Sequence, residues 1–163
     1  QKIWKVMKLV GTNSSPWEAW LTHIGLKTLT LRMDKHCQNA QAIAEFLEKN
    51  PAVVRVNYPG LASHPDHVLA AKQMRGHGGM LSFELAGGLE AGVRAMNRIK
   101  LCTLAPTLGD VDTLILHPAS MSHLNVAREI RYQNGITDGL VRLSVGIEDP
   151  KDLIEDLAQA ILN

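Results

Sequence analysis

Leu140-Val141-Arg142-Leu143-Ser144-Val145-Gly146-Ile147-Glu148-Asp149-Pro150 carries the pattern that decides the fold. Its first six residues alternate as a strand does. Leu140, Arg142 and Ser144 fall on one face, and Val141, Leu143 and Val145 on the other. Asp149-Pro150 then opens a helix whose apolar stripe is Leu153, Ile154, Leu157 and Ile161. A strand that runs straight into an amphipathic helix predicts helices packed on a sheet.

Upstream of this stretch the same two periods recur. Ser15-Pro16-Trp17-Glu18 is a helix start: serine caps, proline suits the first turn, and glutamate three residues on completes a capping box. A helix is expected from there toward Asn50-Pro51, bent or interrupted at Gly25, with Ala40, Ile43, Ala44 and Leu47 as its buried stripe. Strands are expected at 53–58, 80–85, 101–104 and 113–116, and helices at 66–74, 88–99 and 125–133. Pro59-Gly60, Gly76-His77-Gly78-Gly79 and Asn134-Gly135 punctuate them. The order predicts an α/β or α+β sandwich, with residues 1–50 as an N-terminal segment and long helix leading into a domain over 51–163.

The chain has 163 residues, enough for one substantial core but short for two. A net charge of +1 gives no reason to expect nucleic acid or an anionic membrane as a partner. No apolar run is long enough to span a bilayer. The start at Gln1, without Met and without the apolar core of a signal peptide, is read as that of a fragmentary, engineered or processed chain. Cys37 and Cys102 lack CxxC spacing and are expected to be free, buried thiols of a reducing, cytoplasmic environment.

Arg142 is the most informative single residue. A guanidinium in an apolar strand needs an anion or water, because burying it unpaired costs several kcal/mol. Its planar fork matches a carboxylate through two parallel hydrogen bonds. An internal ion pair with one of the chain's 16 acidic residues would serve equally well, so both readings stand at this point. Pro106-Thr107-Leu108-Gly109 forms a turn between two apolar runs, in which Gly109 permits a backbone that points N–H groups outward and Thr107 adds a hydroxyl.

The histidines His64, His67, His117 and His123 do not have the spacing of a metal site, and no HExxH occurs. Gly76-His77-Gly78-Gly79 precedes a strand rather than a helix, so it is not a phosphate-cradling loop. No Ser-His-Asp or Cys-His arrangement has a local motif behind it.

Taken together, several stretches resemble the pyridoxal-phosphate enzymes of cysteine and methionine metabolism. They are Ser15-Pro16-Trp17-Glu18-Ala19-Trp20-Leu21, Gly25-Leu26-Lys27-Thr28-Leu29, Tyr58-Pro59-Gly60-Leu61 and Gly78-Gly79-Met80-Leu81-Ser82-Phe83-Glu84. Thr107-Leu108-Gly109, His117-Pro118-Ala119-Ser120-Met121-Ser122-His123 and the segment from Val141 to Asp149 come next, in the family's order. The family includes methionine gamma-lyase, cystathionine gamma-synthase, the cystathionine lyases and O-acetylhomoserine sulfhydrylase. The run from His117 to His123 looks closest to the methionine gamma-lyase branch.

The resemblance implies the small C-terminal domain of an aspartate-aminotransferase-like fold: a mainly antiparallel sheet covered by helices, preceded by a long linking helix. It implies that Arg142 holds the substrate α-carboxylate, with Thr107 and Leu108 beside it. In such enzymes the cofactor withdraws electrons from the α-carbon, and a clamped carboxylate orients the bond to be broken. Pyridoxal phosphate and a sulfur-containing amino acid are thus the expected cofactor and substrate of the complete enzyme, a homotetramer by resemblance. The cofactor's lysine, in a Ser-x-Thr-Lys context, and its phosphate-binding residues are expected in an N-terminal domain outside this chain. No catalytic or cofactor-binding residue is therefore assigned here, and the chain alone is expected to be inactive and to hold no covalently bound cofactor.

Two positions depart from the family pattern: Ile24 stands where arginine is common, and Thr107 where serine is usual. Cystathionine gamma-synthase or O-acetylhomoserine sulfhydrylase activity, and a non-catalytic binding or assembly domain of the same fold, are the alternative readings.

Overall fold

Five strands form one sheet in the computed structural model, which describes residues 1–11 and 13–162. They are β1 (Val53–Asn57), β2 (Met80–Leu85), β3 (Thr103–Leu104), β4 (Leu114–Leu116) and β5 (Leu140–Ser144), in the spatial order β1-β2-β5-β4-β3. The pairs β1–β2, β2–β5 and β4–β5 are antiparallel, and β3–β4 is parallel. The strand expected to decide the fold therefore lies at the centre, hydrogen-bonded on both sides. The expected domain over 51–163 ends on Asn163, which lies outside the described residues.

Register follows burial. Leu81 faces Leu143 and Phe83 faces Val141, all at 3% exposure or less, on the side of the sheet that carries the core. Three helices contribute to that core: α3 (Leu29–Glu48) with Ala40, Ile43, Ala44 and Leu47, α5 (Gly88–Arg98) with Ala95 and Met96, and α7 (Pro150–Ile161) with Leu153, Leu157 and Ile161. The opposite face is polar at its centre. Asn57, Ser82, Arg142 and Leu116 form a row across β1, β2, β5 and β4, and Asn57 Nδ2 donates to Ser82 Oγ at 3.1 Å.

The chain divides into a unit at 1–32 and a unit at 33–163, and the sheet belongs to the second. The first holds α1 (Lys2–Val10) and α2 (Pro16–Lys27). The capping box is present: Glu18 N–H donates to Ser15 Oγ and Ser15 N–H to the Glu18 carboxylate. The expected interruption falls at Thr28 rather than at Gly25. The Gly25 carbonyl near the end of α2 accepts from Arg32 Nη2 at 2.6 Å and from Thr28 Oγ1 at 3.5 Å, so side chains serve a group that a helix end leaves open. α1 has no counterpart in the sequence expectation. It ends on Gly11 in the left-handed conformation at φ 69° and buries no residue. Trp17 and Trp20 pack together with ring centroids 5.1 Å apart, and Lys8 Nζ lies 5.4 Å from the Trp4 ring centroid.

In the second unit, β3 is shorter than expected, because the N–H groups of Leu101 and Cys102 turn to the Asp156 carboxylate instead of the ladder. A helix expected from Asn125 begins later, as α6 (Arg128–Gln133), since Leu124 and Val126 N–H groups close turns onto Met121 and His123. α4 (His67–Gln73) lies where a short helix was expected. Both cysteines are unpaired; Cys102 is buried, but Cys37 is only half-buried, which corrects the expectation for that residue. Cys37 follows the buried His36 by one residue and so lies off the stripe that α3 turns to the core. Among the described residues no helix is long and apolar enough to cross a membrane.

Candidate functional site around Arg142

Arg142 and Ser144 stand two residues apart on β5, on its polar-centred face, and both reach the turn at 106–109. Arg142 Nη2 donates to the Thr107 carbonyl at 2.6 Å, and Gly109 N–H donates to Ser144 Oγ at 2.9 Å. Gly109 has φ 84°, a left-handed backbone that strains any residue with a Cβ. The Thr107 and Leu108 side chains are exposed beside this bracket. Structure thus brings together the three residues singled out from sequence, Arg142, Thr107 and Leu108, and adds Ser144.

The guanidinium is incompletely partnered. Among the described residues no carboxylate lies within 4 Å of it; the ion pairs present are Glu90–Arg94 and those of Asp138 with Arg128 and Arg131. Its Nε is buried without a hydrogen-bond acceptor. The internal ion pair that the sequence left open is therefore not formed among these residues. An oxyanion approaching the uncommitted N–H groups would meet a cation already oriented by a main-chain carbonyl.

The segment from Val145 to Glu148, directly after β5, is also fixed by side chains. Asn39 Nδ2, on α3, donates to the carbonyls of Gly146 and Glu148 at 3.1 and 2.8 Å, and His36 hydrogen-bonds the carbonyl of Val145. The Glu148 carboxylate accepts from Thr113 N–H at 2.6 Å and from its hydroxyl at 2.8 Å. A Cβ at Gly146 would overlap both Glu148 Oε2 and the Val111 carbonyl, so only glycine fits there. A small, mostly apolar cavity of about 110 Å³ adjoins the turn, lined by Met33, His36, Met80, Leu108, Ser144 and Val145 among others.

The other candidates from sequence have structural employment. The His117 ring is fully buried and hydrogen-bonds Ser120 Oγ and the Asp138 carbonyl, each at 2.8 Å. His67 Nδ1 lies 2.8 Å from the Pro59 carbonyl, and His123 bonds the neighbouring Ser122. Among the described residues no three His, Cys, Asp or Glu side chains converge as a metal site would require.

Asp156, flagged by no sequence motif, accepts from the N–H groups of Lys100, Leu101 and Cys102 at 2.9, 2.8 and 3.0 Å. Burial pushes its pKa up, but those backbone donors and Gln159 outweigh it and hold the carboxyl below its ordinary value. The lysines are exposed or half-exposed, and none lines a cavity described for this chain.

A model of the Cys/Met metabolism PLP-dependent enzyme family matches residues 1–162. The chain is 52% identical over 160 residues to an L-methionine gamma-lyase of Porphyromonas gingivalis, covering 98% of this chain and 40% of that protein. It is 49% identical over 152 residues to a cystathionine beta-lyase of Coxiella burnetii (93% and 39%), and 49% identical over 159 residues to a cystathionine gamma-lyase of Bacillus subtilis (97% and 41%). The chain therefore spans about two-fifths of the length of the curated relatives it matches.

Proposed function

Because the chain belongs to the Cys/Met metabolism PLP-dependent enzyme family, we propose that it is the part of a carbon–sulfur lyase that binds the substrate's α-carboxylate. In this reading residues 51–163 are the small C-terminal domain of an aspartate-aminotransferase-like enzyme, and residues 1–50 lead into it. The observation that carries the proposal is Arg142: a guanidinium in a central strand, oriented by the Thr107 carbonyl and without a carboxylate of its own among the described residues.

Arg142 receives the substrate's carboxylate in two parallel hydrogen bonds, while Thr107 and Leu108 border the same position. Fixing that group limits rotation about the α-carbon, which contributes to rate by orientation. The cofactor site and its lysine are supplied elsewhere in the complete enzyme, so the 163-residue chain alone has no lyase activity. Gamma-elimination of methionine is the preferred reaction, in keeping with the 52% identity to methionine gamma-lyases. The complete enzyme is proposed to be a cytoplasmic homotetramer, in which apolar side chains of α1 and α2, such as Ile3, Trp17 and Trp20, are covered; here they are exposed.

The test is an assay of the full-length holoenzyme for methanethiol release from methionine, alongside cystathionine formation and sulfide incorporation into O-acetylhomoserine. Methanethiol as the main product supports the proposal. Dominant replacement products would move the protein to the synthase or sulfhydrylase reading, and inactivity with every substrate would leave a binding or assembly domain.

A further inference from the structure

We propose that Ser144 is a positioning residue for the substrate carboxylate, acting through the turn at 106–109. The inference rests on the assignment of Arg142 as the carboxylate's partner.

Among the described residues, the backbone from Pro106 to Asp110 has two hydrogen bonds to the rest of the fold. One is from Arg142 Nη2 to the Thr107 carbonyl, and the other is from Gly109 N–H to Ser144 Oγ. On one side Ala105 is tied to Ile115, and on the other the Val111 carbonyl to Ile147. The span between those ties is thus held at two points, both on β5. Arg142 alone would leave the turn free to pivot about the Thr107 carbonyl, and the guanidinium free to follow it. The serine hydroxyl removes that freedom.

Ser144 is well placed to act as the fixed point. Its Cα pairs with Met80 of β2 on one side and Leu114 of β4 on the other, so its backbone is anchored by two neighbouring strands. It is 2% exposed, which keeps the hydroxyl from meeting a substrate directly. Its effect has to pass through Gly109, whose φ of 84° lets the chain present that N–H to the strand.

Full-length holoenzyme carrying Ser144→Ala separates this role from a merely structural one. The expected result is a rise in KM for the amino-acid substrate of about fivefold to tenfold, the scale of one lost hydrogen bond. kcat should stay within about twofold on the same scale, and cofactor absorbance should be unchanged. Ser144→Thr keeps the hydroxyl and should restore KM, the added methyl being taken up by the adjoining cavity of about 110 Å³.

Gly109→Ala is the second probe. A Cβ there meets nothing within 4 Å, so any effect comes from the backbone of the turn, and it should reproduce the rise in KM. An unchanged KM in both Ser144→Ala and Gly109→Ala, or a loss confined to kcat and thermal stability, would overturn the proposal. Arg142→Ala in parallel tells the two ideas apart. If it impairs substrate use while the other variants do not, only the role of Ser144 falls; if it too is silent, the carboxylate site itself is wrong.

Discussion

Gly92 of α5 packs so closely on His117 that a Cβ built on the glycine would overlap the imidazole ring at Nε2. That nitrogen faces the Asp138 carbonyl, which can only accept, so Nε2 carries a proton, while Nδ1 pairs with the Ser120 hydroxyl. Burial favours the neutral ring, which links the Pro118–Ser120 turn to the loop before β5 and packs on α5. Gly92→Ala must push the ring out of these bonds. It is expected to cost about 2–4 kcal/mol, overpacking and an unmade buried hydrogen bond acting together. Urea denaturation of the purified protein measures this, and an unchanged midpoint would refute the packing described.

Two buried groups shape stability toward acid. Burial lowers the His117 pKa from its ordinary 6.5, with the Arg131 charge adding to the effect and Asp138 opposing it. A native-state pKa below the unfolded one means that its contribution is complete above about 6.5 and drains away as pH falls through the native value. Asp156, held below its ordinary 3.8, behaves in the same sense at lower pH. Stability measured by urea midpoint should decline below pH 6.5 and again below 3.8. Relative to wild type, His117→Gln should flatten the first decline and Asp156→Asn the second, and parallel curves for wild type and variants would contradict both assignments.

Arg142→Ala in the full-length holoenzyme should lower kcat/KM for the amino-acid substrate on the order of 10- to 100-fold, the scale of hydrogen bonds to a charged group. Cofactor absorbance should be retained, since the residue is assigned to the substrate. Arg142→Lys should recover little, because an ammonium cannot present a planar fork. Wild-type kinetics in either variant would remove Arg142 from the site.

The two thiols should differ in reactivity. Cys102 is buried, and burial first, then Asp156, pushes its pKa far above the ordinary thiol range. Cys37 is half-buried. A chromogenic disulfide reagent is therefore expected to titrate Cys37 in the native protein and both thiols in denaturant. Rapid native labelling of Cys102 would show that the Asp156 clamp opens readily.

Much of this architecture was legible because it is local. The alternation that holds from Leu140 to Leu143 in a strand ending at Ser144, one residue short of the expected Val145, the stripe Ala40-Ile43-Ala44-Leu47 and the Ser15–Glu18 capping box each need only a few neighbouring residues. Ile3, Val6 and Val10 have helical spacing too, but no capping side chain marks the start of α1. Some bounds shifted through local turns, as at the start of α6, and β3 was shortened from a distance. Asp156 draws Leu101 and Cys102 off the ladder from 55 and 54 residues away. The candidate site divides in the same way. Arg142 was conspicuous as a charge in an apolar strand, whereas the role of Ser144 depends on a turn 35 residues earlier, a pairing no local pattern announces.

The three tryptophans, Trp4, Trp17 and Trp20, all lie in the unit at 1–32, and the sheet and its helices have none. Indole emission will therefore report on the two N-terminal helices and stay silent about the sheet. Unfolding of the Arg142 region has to be followed by circular dichroism or through Tyr58, whose phenol is buried against the Gly78 carbonyl with its pKa raised to about 12. A melting curve recorded by intrinsic fluorescence alone would be describing a different part of the molecule.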